Sequence, residues 1–306
     1  MRVFSVVAFC ASHIDGLERL KCFRAMIASW SKQSFPVYLY VCISSDDAMN
    51  AVLQRVIEQL KAEYLLLRIC THPGRLAQFE HYRCLTEHFE RSFAQGNLPE
   101  DLYVIFTDDD DLWHPNRTAS YLQLYEQIAS SSEGTSLGPF ALGSIVDATT
   151  PVKAYSAADV DSLISSGSLP FNRQTYPQDY VALCVPFKLV SEFVSKASPE
   201  LLRHRYADAC FFTFVRAKAP GMKLGQSADW MYFYRFDDTR PQAALSGASD
   251  DDGAFSFILA YCPTRSYDDV LKARDHCKLA LSDAVIKRLL ENPASAAVEA
   301  IKGAPL

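Results

Sequence analysis

The stretch Tyr103-Val104-Ile105-Phe106-Thr107-Asp108-Asp109-Asp110-Asp111-Leu112-Trp113-His114-Pro115 decides how this chain reads. A β-branched and aromatic run of strand length stops abruptly at four carboxylates, and two large apolar residues and a proline follow. The run predicts a buried strand with the acids at its C-terminal end, where open α/β sheets bind their ligands. Adjacent carboxylates repel one another unless something positive sits among them. A hard divalent cation with oxygen ligands, Mg²⁺ or Mn²⁺, suits them. Read without function, the run is a solvated acidic loop, but such loops are seldom fused directly to a core strand.

Working outward, the first half alternates strand and helix. Strands are predicted over 3–11, 37–43, 64–70 and 102–107, and helices over 17–31, 48–62, 78–94 and from Pro115 to about 130. Apolar Leu17, Leu20, Phe23, Ile27 and Trp30 fall near helical spacing in the first helix. Phe35-Pro36 and His72-Pro73-Gly74 punctuate the series. Alternation of this kind argues for a mostly parallel sheet with right-handed crossovers. The second half is less regular. Strands are expected over 140–146, 180–187 and 230–236, helices over 189–195 and 201–217, the latter interrupted near Tyr206-Ala207-Asp208, and a loop or short helix over 157–170. Terminal helices are expected over 266–290.

The bulk properties bound the function. The chain has 306 residues, 49% of them apolar, enough for a sizeable core. A net charge of −6, with no Lys/Arg-rich run, gives no general attraction to nucleic acid. Nine scattered cysteines without a CxxC pair read as reduced, buried thiols, which points to a cytoplasmic protein without a disulfide framework or zinc site. Val3 to Cys10 reads as a strand, not as a signal peptide, and no stretch approaches the ~18 apolar residues of a membrane span.

The order of elements, with Ser44-Ser45-Asp46-Asp47 after the second strand and Asp108-Asp109-Asp110-Asp111-Leu112-Trp113-His114-Pro115 after the fourth, resembles the GT-A glycosyltransferases, above all the inverting group called family 2. The likeness spans about residues 3–240. It implies an α/β fold with a GT-A (Rossmann-like), mostly parallel sheet flanked by helices. The expected division is a glycosyltransferase domain over 1–262, with a nucleotide-sugar half to about 130 and an acceptor half over 131–262, and a C-terminal helical extension over 263–306. The implied activity is metal-dependent transfer of a sugar, with inversion, from a nucleotide-diphosphate donor, a UDP-sugar first among candidates. The acceptor is a hydroxyl of a glycan or glycoconjugate, as in polysaccharide biosynthesis.

The resemblance also implies roles. Asp110 ligates Mn²⁺ or Mg²⁺, and Asp108, on the same side of an extended segment, lies near the ribose and the metal, with Asp109 and Asp111 adjacent. The base sits against Ser12 and Asp46, although Asp46 could equally cap a helix. One of Arg75 and Arg83 faces the diphosphate, a task suited to a guanidinium. His81 reads as structural. Asp208, at the entry to an apolar helix, is the expected general base, with helix capping as its alternative. Asp179 and Trp113 are expected near the acceptor. No His follows the last core strand, where many relatives carry a metal ligand, so Arg235 or Asp237 stands there. Two other readings use the same residues: a phosphohydrolase of the haloacid dehalogenase type, whose Asp-x-Asp stands nearer the chain start, and a non-catalytic sugar-binding module.

Overall fold

The structure is a computed structural model that describes residues 4–92, 99, 101–131, 138–143, 145–148, 173–174, 180–204, 207–219, 222–226 and 232–235. The first half follows the predicted alternation. It runs β1 (Ser5–Ile14), α1 (Leu17–Trp30), β2 (Tyr38–Ser45), a 3₁₀ turn (Asp47–Met49), α2 (Asn50–Glu63), β3 (Leu67–Thr71), α3 (Gln78–Ser92), β4 (Leu102–Asp108), β5 (Leu112–Trp113) and α4 (Arg117–Ser131). Then come β6 (Phe140–Gly143), β7 (Ile145–Ala148), β8 (Arg173–Gln174), a 3₁₀ turn (Tyr180–Ala182) and β9 (Leu183–Pro186). Helices α5 (Phe187–Lys196), α6 (Pro199–Arg203) and α7 (Ala207–Lys218) and strands β10 (Lys223–Gln226) and β11 (Tyr232–Arg235) complete the described part.

The local causes are visible in the sequence. Helix α2 buries Leu53, Val56, Ile57 and Leu60, an i, i+3, i+4, i+7 stripe. In α6 the Ser198 side chain accepts from the Leu201 N–H at 3.2 Å, and Pro199 occupies the first turn, where its missing N–H costs nothing. Gly74 takes φ 82°, a left-handed value suited to glycine, in the turn between β3 and α3.

Among the described residues the main sheet has the order β10-β6-β9-β4-β1-β2-β3. Every pairing in it is parallel except those of β9, which runs against both β4 and β6. This is the mostly parallel α/β sheet flanked by helices that the sequence predicts. The chain builds outward through β1, β2 and β3 and returns on the other side of β1 as β4, so the strand order reverses between β1 and β4, which are themselves parallel. Residue parity assigns the two faces. Phe9 and Phe106 pack on α3 through Phe89 and Tyr82, whereas Phe4 and Tyr103 pack on Tyr125 of α4.

A second sheet, ordered β5-β11-β7-β8, begins at Leu112, with three residues between it and the end of β4. It accounts for a difference from the sequence reading. The apolar run 140–146 forms two strands, because β6 pairs with β9 and β10 in one sheet while β7 pairs with β8 and β11 in the other. Helix α4 starts at Arg117, after Pro115, whose carbonyl accepts from the Ser34 N–H at 2.8 Å. The expected loop at 157–170, the terminal helices and the boundary at 262/263 lie outside the described residues.

Trp113 joins the two sheets. Its indole N–H donates to Thr107 Oγ1 at 2.7 Å, back across the acidic turn, and its backbone N–H donates to Ser29 Oγ at 3.1 Å. The buried Arg117 guanidinium lies 4.2 Å from the indole centroid and donates to the carbonyls of Phe106 and Val181 at 2.9 and 2.7 Å. Trp113→Phe keeps most of the apolar volume but loses the Thr107 bond and weakens the cation–π contact. We expect a loss of ~1–3 kcal/mol in unfolding free energy. Urea denaturation measures it, and a wild-type midpoint would show that the indole does not anchor the turn.

Candidate functional site

The acidic run lies at the C-terminal ends of β1 and β4, where Ala11 is the register partner of Asp108 and the strand order reverses. Open α/β sheets bind ligands in the crevice at this place. The carboxylates are not a solvated loop: Asp108 is 9% exposed, Asp109 1%, Asp110 5% and Asp111 0%. They are anchored on one side by β4 and on the other by β5.

Each described partner has a definite geometry. Asp108 Oδ1 accepts from Gln78 Nε2 at 2.6 Å and from the Tyr180 hydroxyl, and Gln78 Nε2 also lies 2.6 Å from that hydroxyl. Asp109 Oδ2 accepts from Ser12 Oγ at 2.7 Å and from Arg19 Nε at 3.0 Å, and its Oδ1 accepts from Arg19 Nη2. Asp110 Oδ2 accepts from Arg19 Nη1 at 2.6 Å. Burial raises the carboxyl of Asp109 above the usual range, while Arg19 pulls it back. Burial also works against the Arg19 charge, but Asp109 and Asp110 outweigh it and hold the guanidinium protonated well beyond its ordinary range.

Asp108, Asp110 and Asp111 each present an oxygen, and the three oxygens lie within 4.8 Å of one another. Oxygens about 2.1 Å from an octahedral Mg²⁺ or Mn²⁺ are separated by roughly 3 Å when adjacent and 4 Å when opposite, so the trio is close enough to gather around such an ion. All-oxygen, all-anionic donors favour hard cations over zinc or copper. Asp111, which the sequence left as a neighbour of the motif, is a full member of the trio.

Beside the carboxylates a polar chain crosses the ends of β1 and β2. His13 Nε2 meets Asp46 Oδ1 at 3.1 Å, His13 Nδ1 meets Ser44 Oγ at 2.8 Å, Ser44 Oγ meets His81 Nε2 at 3.1 Å, and His81 Nδ1 meets Cys42 Sγ at 3.3 Å. Asp46 makes no side-chain cap bond to the 3₁₀ turn that follows it and is half exposed, so its carboxylate faces solvent and His13. His81 is buried, as its structural reading requires.

The remaining expected residues divide by position. Ser12 is inside the site. Arg75 is exposed and Arg83 half-buried on α3, and neither makes a hydrogen bond or ion pair with the described carboxylates. Trp113 is fully buried against Arg117, so its ring is a packing element and offers no face for a sugar to stack on. Asp208 stands in the first turn of α7, where its Oδ1 accepts from the Ala209 N–H at 2.8 Å. Phe211, one turn further on and on the same face, packs on Phe106 of β4 at 5.4 Å between ring centroids. Arg235 is in β11, in register with Ala148. Asp179 and Asp237 lie outside the described residues. Arg19, Gln78, Tyr180 and His13 are site residues that sequence reading missed. The one available signal for Arg19 was a cation in the first turn of the helix that follows the strand beside β4.

No protein-family model matches the chain, and no curated protein matches it. Three solved structures resemble it in fold at low identity. TarS of S. aureus aligns over 97% of this chain and 54% of its own, at 10% identity and a TM-score of 0.48. The mannosyltransferase PcManGT from Pyrobaculum calidifontis, in complex with GDP-Man and Mn²⁺, aligns over 98% and 76%, at 12% identity and 0.47. A 4-diphosphocytidyl-2C-methyl-D-erythritol synthase aligns over 80% and 96%, at 12% identity and 0.40. The chain thus spans about half the length of TarS. A cavity of about 270 Å³, lined in part by Tyr40, Arg68, Cys70 and His88, lies along β2 and β3, apart from the carboxylates.

Burial, and then the proximity of His13 and His72, drives the His81 pKa down to about 3. The unfolded chain takes up this proton near pH 6.5, whereas the folded chain does not, so the folded state loses stability as pH falls below about 6.5. The slope is about 1.4 kcal/mol per pH unit. Histidine NMR should show no titration of the His81 ring between pH 8 and 5, and a midpoint near 6.5 would contradict its buried, neutral state. His81→Gln should flatten the fall in unfolding free energy between pH 6.5 and 5.

Proposed function

We propose that this protein is a metal-dependent glycosyltransferase that moves a sugar from a nucleotide-diphosphate donor, with inversion, to a hydroxyl of a glycan or other acceptor. The observation that carries the reading is the convergence of Asp108, Asp110 and Asp111 at the C-terminal end of the central strand, beside the reversal point of a mostly parallel sheet. A phosphohydrolase reading is less favoured because its Asp pair belongs nearer the chain start, and here the pair ends the fourth strand.

In this proposal Asp108, Asp110 and Asp111 hold Mn²⁺ or Mg²⁺. The ion supplies Lewis-acid stabilisation of the departing diphosphate when bound. Gln78 and Tyr180 orient Asp108 through its Oδ1, the kind of outer support that fixes a ligand carboxylate. Asp46, held by His13, faces the base of the nucleotide, and Ser12 steadies Asp109. Arg75, Arg83 and Arg235 are candidates for contact with the donor phosphates, and UDP is the first nucleotide to test. Asp208 accepts the proton of the attacking hydroxyl at a carboxylate oxygen. Its place on the α7 face that packs against β4 supports that role. Asp179 is proposed as an acceptor contact.

Asp110→Asn should abolish Mn²⁺-dependent binding of UDP or GDP in calorimetry while the unfolding midpoint stays near wild type. Unchanged Mn²⁺-dependent affinity would remove the assignment. For the chemistry, a panel of UDP-, GDP- and dTDP-sugars with Mn²⁺ identifies the donor, and NMR of the product gives the anomeric configuration, expected inverted. With that donor, Asp208→Asn should lower transfer by ~10²–10⁴-fold with donor binding intact, and Asp179→Asn should do far less. Exchange of these two phenotypes would make Asp179 the base.

A further inference from the structure

Arg19 is a cation that the chain itself places in the acidic site. It reaches Asp109 and Asp110 from 90 and 91 residues away in sequence. Its contacts are of two kinds. Nε and Nη2 grip both oxygens of Asp109 side-on, the bidentate geometry of an Arg–carboxylate pair. Nη1 alone crosses to Asp110 Oδ2 at 2.6 Å. Asp109 lies outside the trio that can hold a divalent cation, whereas Asp110 belongs to it. One guanidinium therefore rests with two nitrogens on a carboxylate the metal does not need and with one nitrogen on a carboxylate it does.

Two cations cannot share the Asp110 carboxylate cheaply. A metal held by the Asp110 carboxylate would lie a few ångströms from Nη1, itself 2.6 Å from Oδ2, and the two cations repel one another in a poorly hydrated site. The burial gradient shows which one has room to move. Asp109 and Asp110 are 1% and 5% exposed, whereas the Arg19 side chain is 29% exposed and approaches from the solvent side.

We propose that Arg19 is an exchangeable cation. Without metal its Nη1 bridges to Asp110 and compensates the acidic cluster. When a divalent ion is held by Asp108, Asp110 and Asp111, Nη1 gives up Asp110 while Nε and Nη2 keep Asp109. The freed N–H groups then point at the ligand crevice as donors for the diphosphate of a nucleotide. Arg19 is thus a positioning residue that links metal occupancy to phosphate binding. The inference rests on the proposed nucleotide-donor reading, from which it inherits the ligand class.

The test uses the full chain, Mn²⁺ alone as the first probe and UDP or GDP as the second, with calorimetry and Mn²⁺ electron paramagnetic resonance as readouts. Arg19→Gln should bind Mn²⁺ alone at least ~5-fold more tightly than wild type, because a competitor has been removed. In saturating Mn²⁺ it should bind the nucleotide ~10–100-fold more weakly, as expected for lost charge-assisted bonds. A merely structural arginine predicts weaker binding of both probes. Unchanged or weaker Mn²⁺ binding, or unchanged nucleotide affinity, overturns the exchange. If Arg19→Gln fails to fold, Arg19→Lys decides. It retains the charge and should bind Mn²⁺ much as wild type, but without the forked geometry it should lose about 10-fold in nucleotide affinity. Wild-type nucleotide affinity in Arg19→Lys would then overturn the proposal. The two readings fail differently. A wild-type chain that binds neither Mn²⁺ nor nucleotide overturns both, whereas intact Mn²⁺-dependent nucleotide binding that ignores Arg19 overturns the exchange alone.

Discussion

Four carboxylates in sequence, nearly shut off from water, set the electrostatic constraint around which this molecule is arranged. Two unit charges 4 Å apart at an effective dielectric of about 20 repel by about 4 kcal/mol. Such a run at the end of a core strand survives only where each acid has donors. Asp108 has Gln78 and Tyr180, Asp109 has Ser12 and Arg19, and Asp110 has Arg19. These donors come from β1, from the first turns of α1 and α3, and from the 3₁₀ turn before β9. The carboxylates therefore tie together the elements on both sides of the reversal point, and the same gathering leaves three oxygens close enough to share a hard cation.

The support behind the acids is apolar. Trp113 closes the turn onto Thr107, and Arg117, stacked beneath the indole, bonds the carbonyls of Phe106 and Val181. Phe79, Phe106, Phe193 and Phe211 form an aromatic cluster of edge-on and tilted contacts linking α3, β4, α5 and α7. A charged loop on such a base has little freedom to rearrange, and preorganisation of this kind is what a metal or phosphate site needs.

Polar neighbours of the strand ends form a second, separate network. His13, Ser44 and His81 connect the exposed Asp46 to the buried Cys42 across β1 and β2. His81 stays neutral because burial disfavours its charged form, so the chain orients Asp46 without adding positive charge at its inner end. The described cysteines are free thiols; Cys10, Cys42, Cys184 and Cys210 are buried, as the apolar runs around them indicate, whereas Cys70, in a run of the same kind, is half-buried.

The sequence by itself determined the local units. The apolar run of β4, the strand–helix alternation that makes the sheet mostly parallel and the acidic end of the central strand are all encoded by neighbouring residues, through periodicity, β-branching and turn chemistry. It also favoured a structural over a catalytic His81, and the ring is buried. Tertiary structure alone decided who meets whom. Arg19 and Tyr180 reach Asp109 and Asp108 from 90 and 72 residues away, and no local pattern names the carboxylate that either will meet. Trp113 looked available for stacking because sequence does not say that Arg117 and Ser29 will enclose it. The run at 140–146 divides between two sheets because hydrophobicity specifies burial and not the partner strand. Period and polarity are properties of a short segment, whereas partner choice depends on the order in which strands are laid into the sheet and on the closure of long loops.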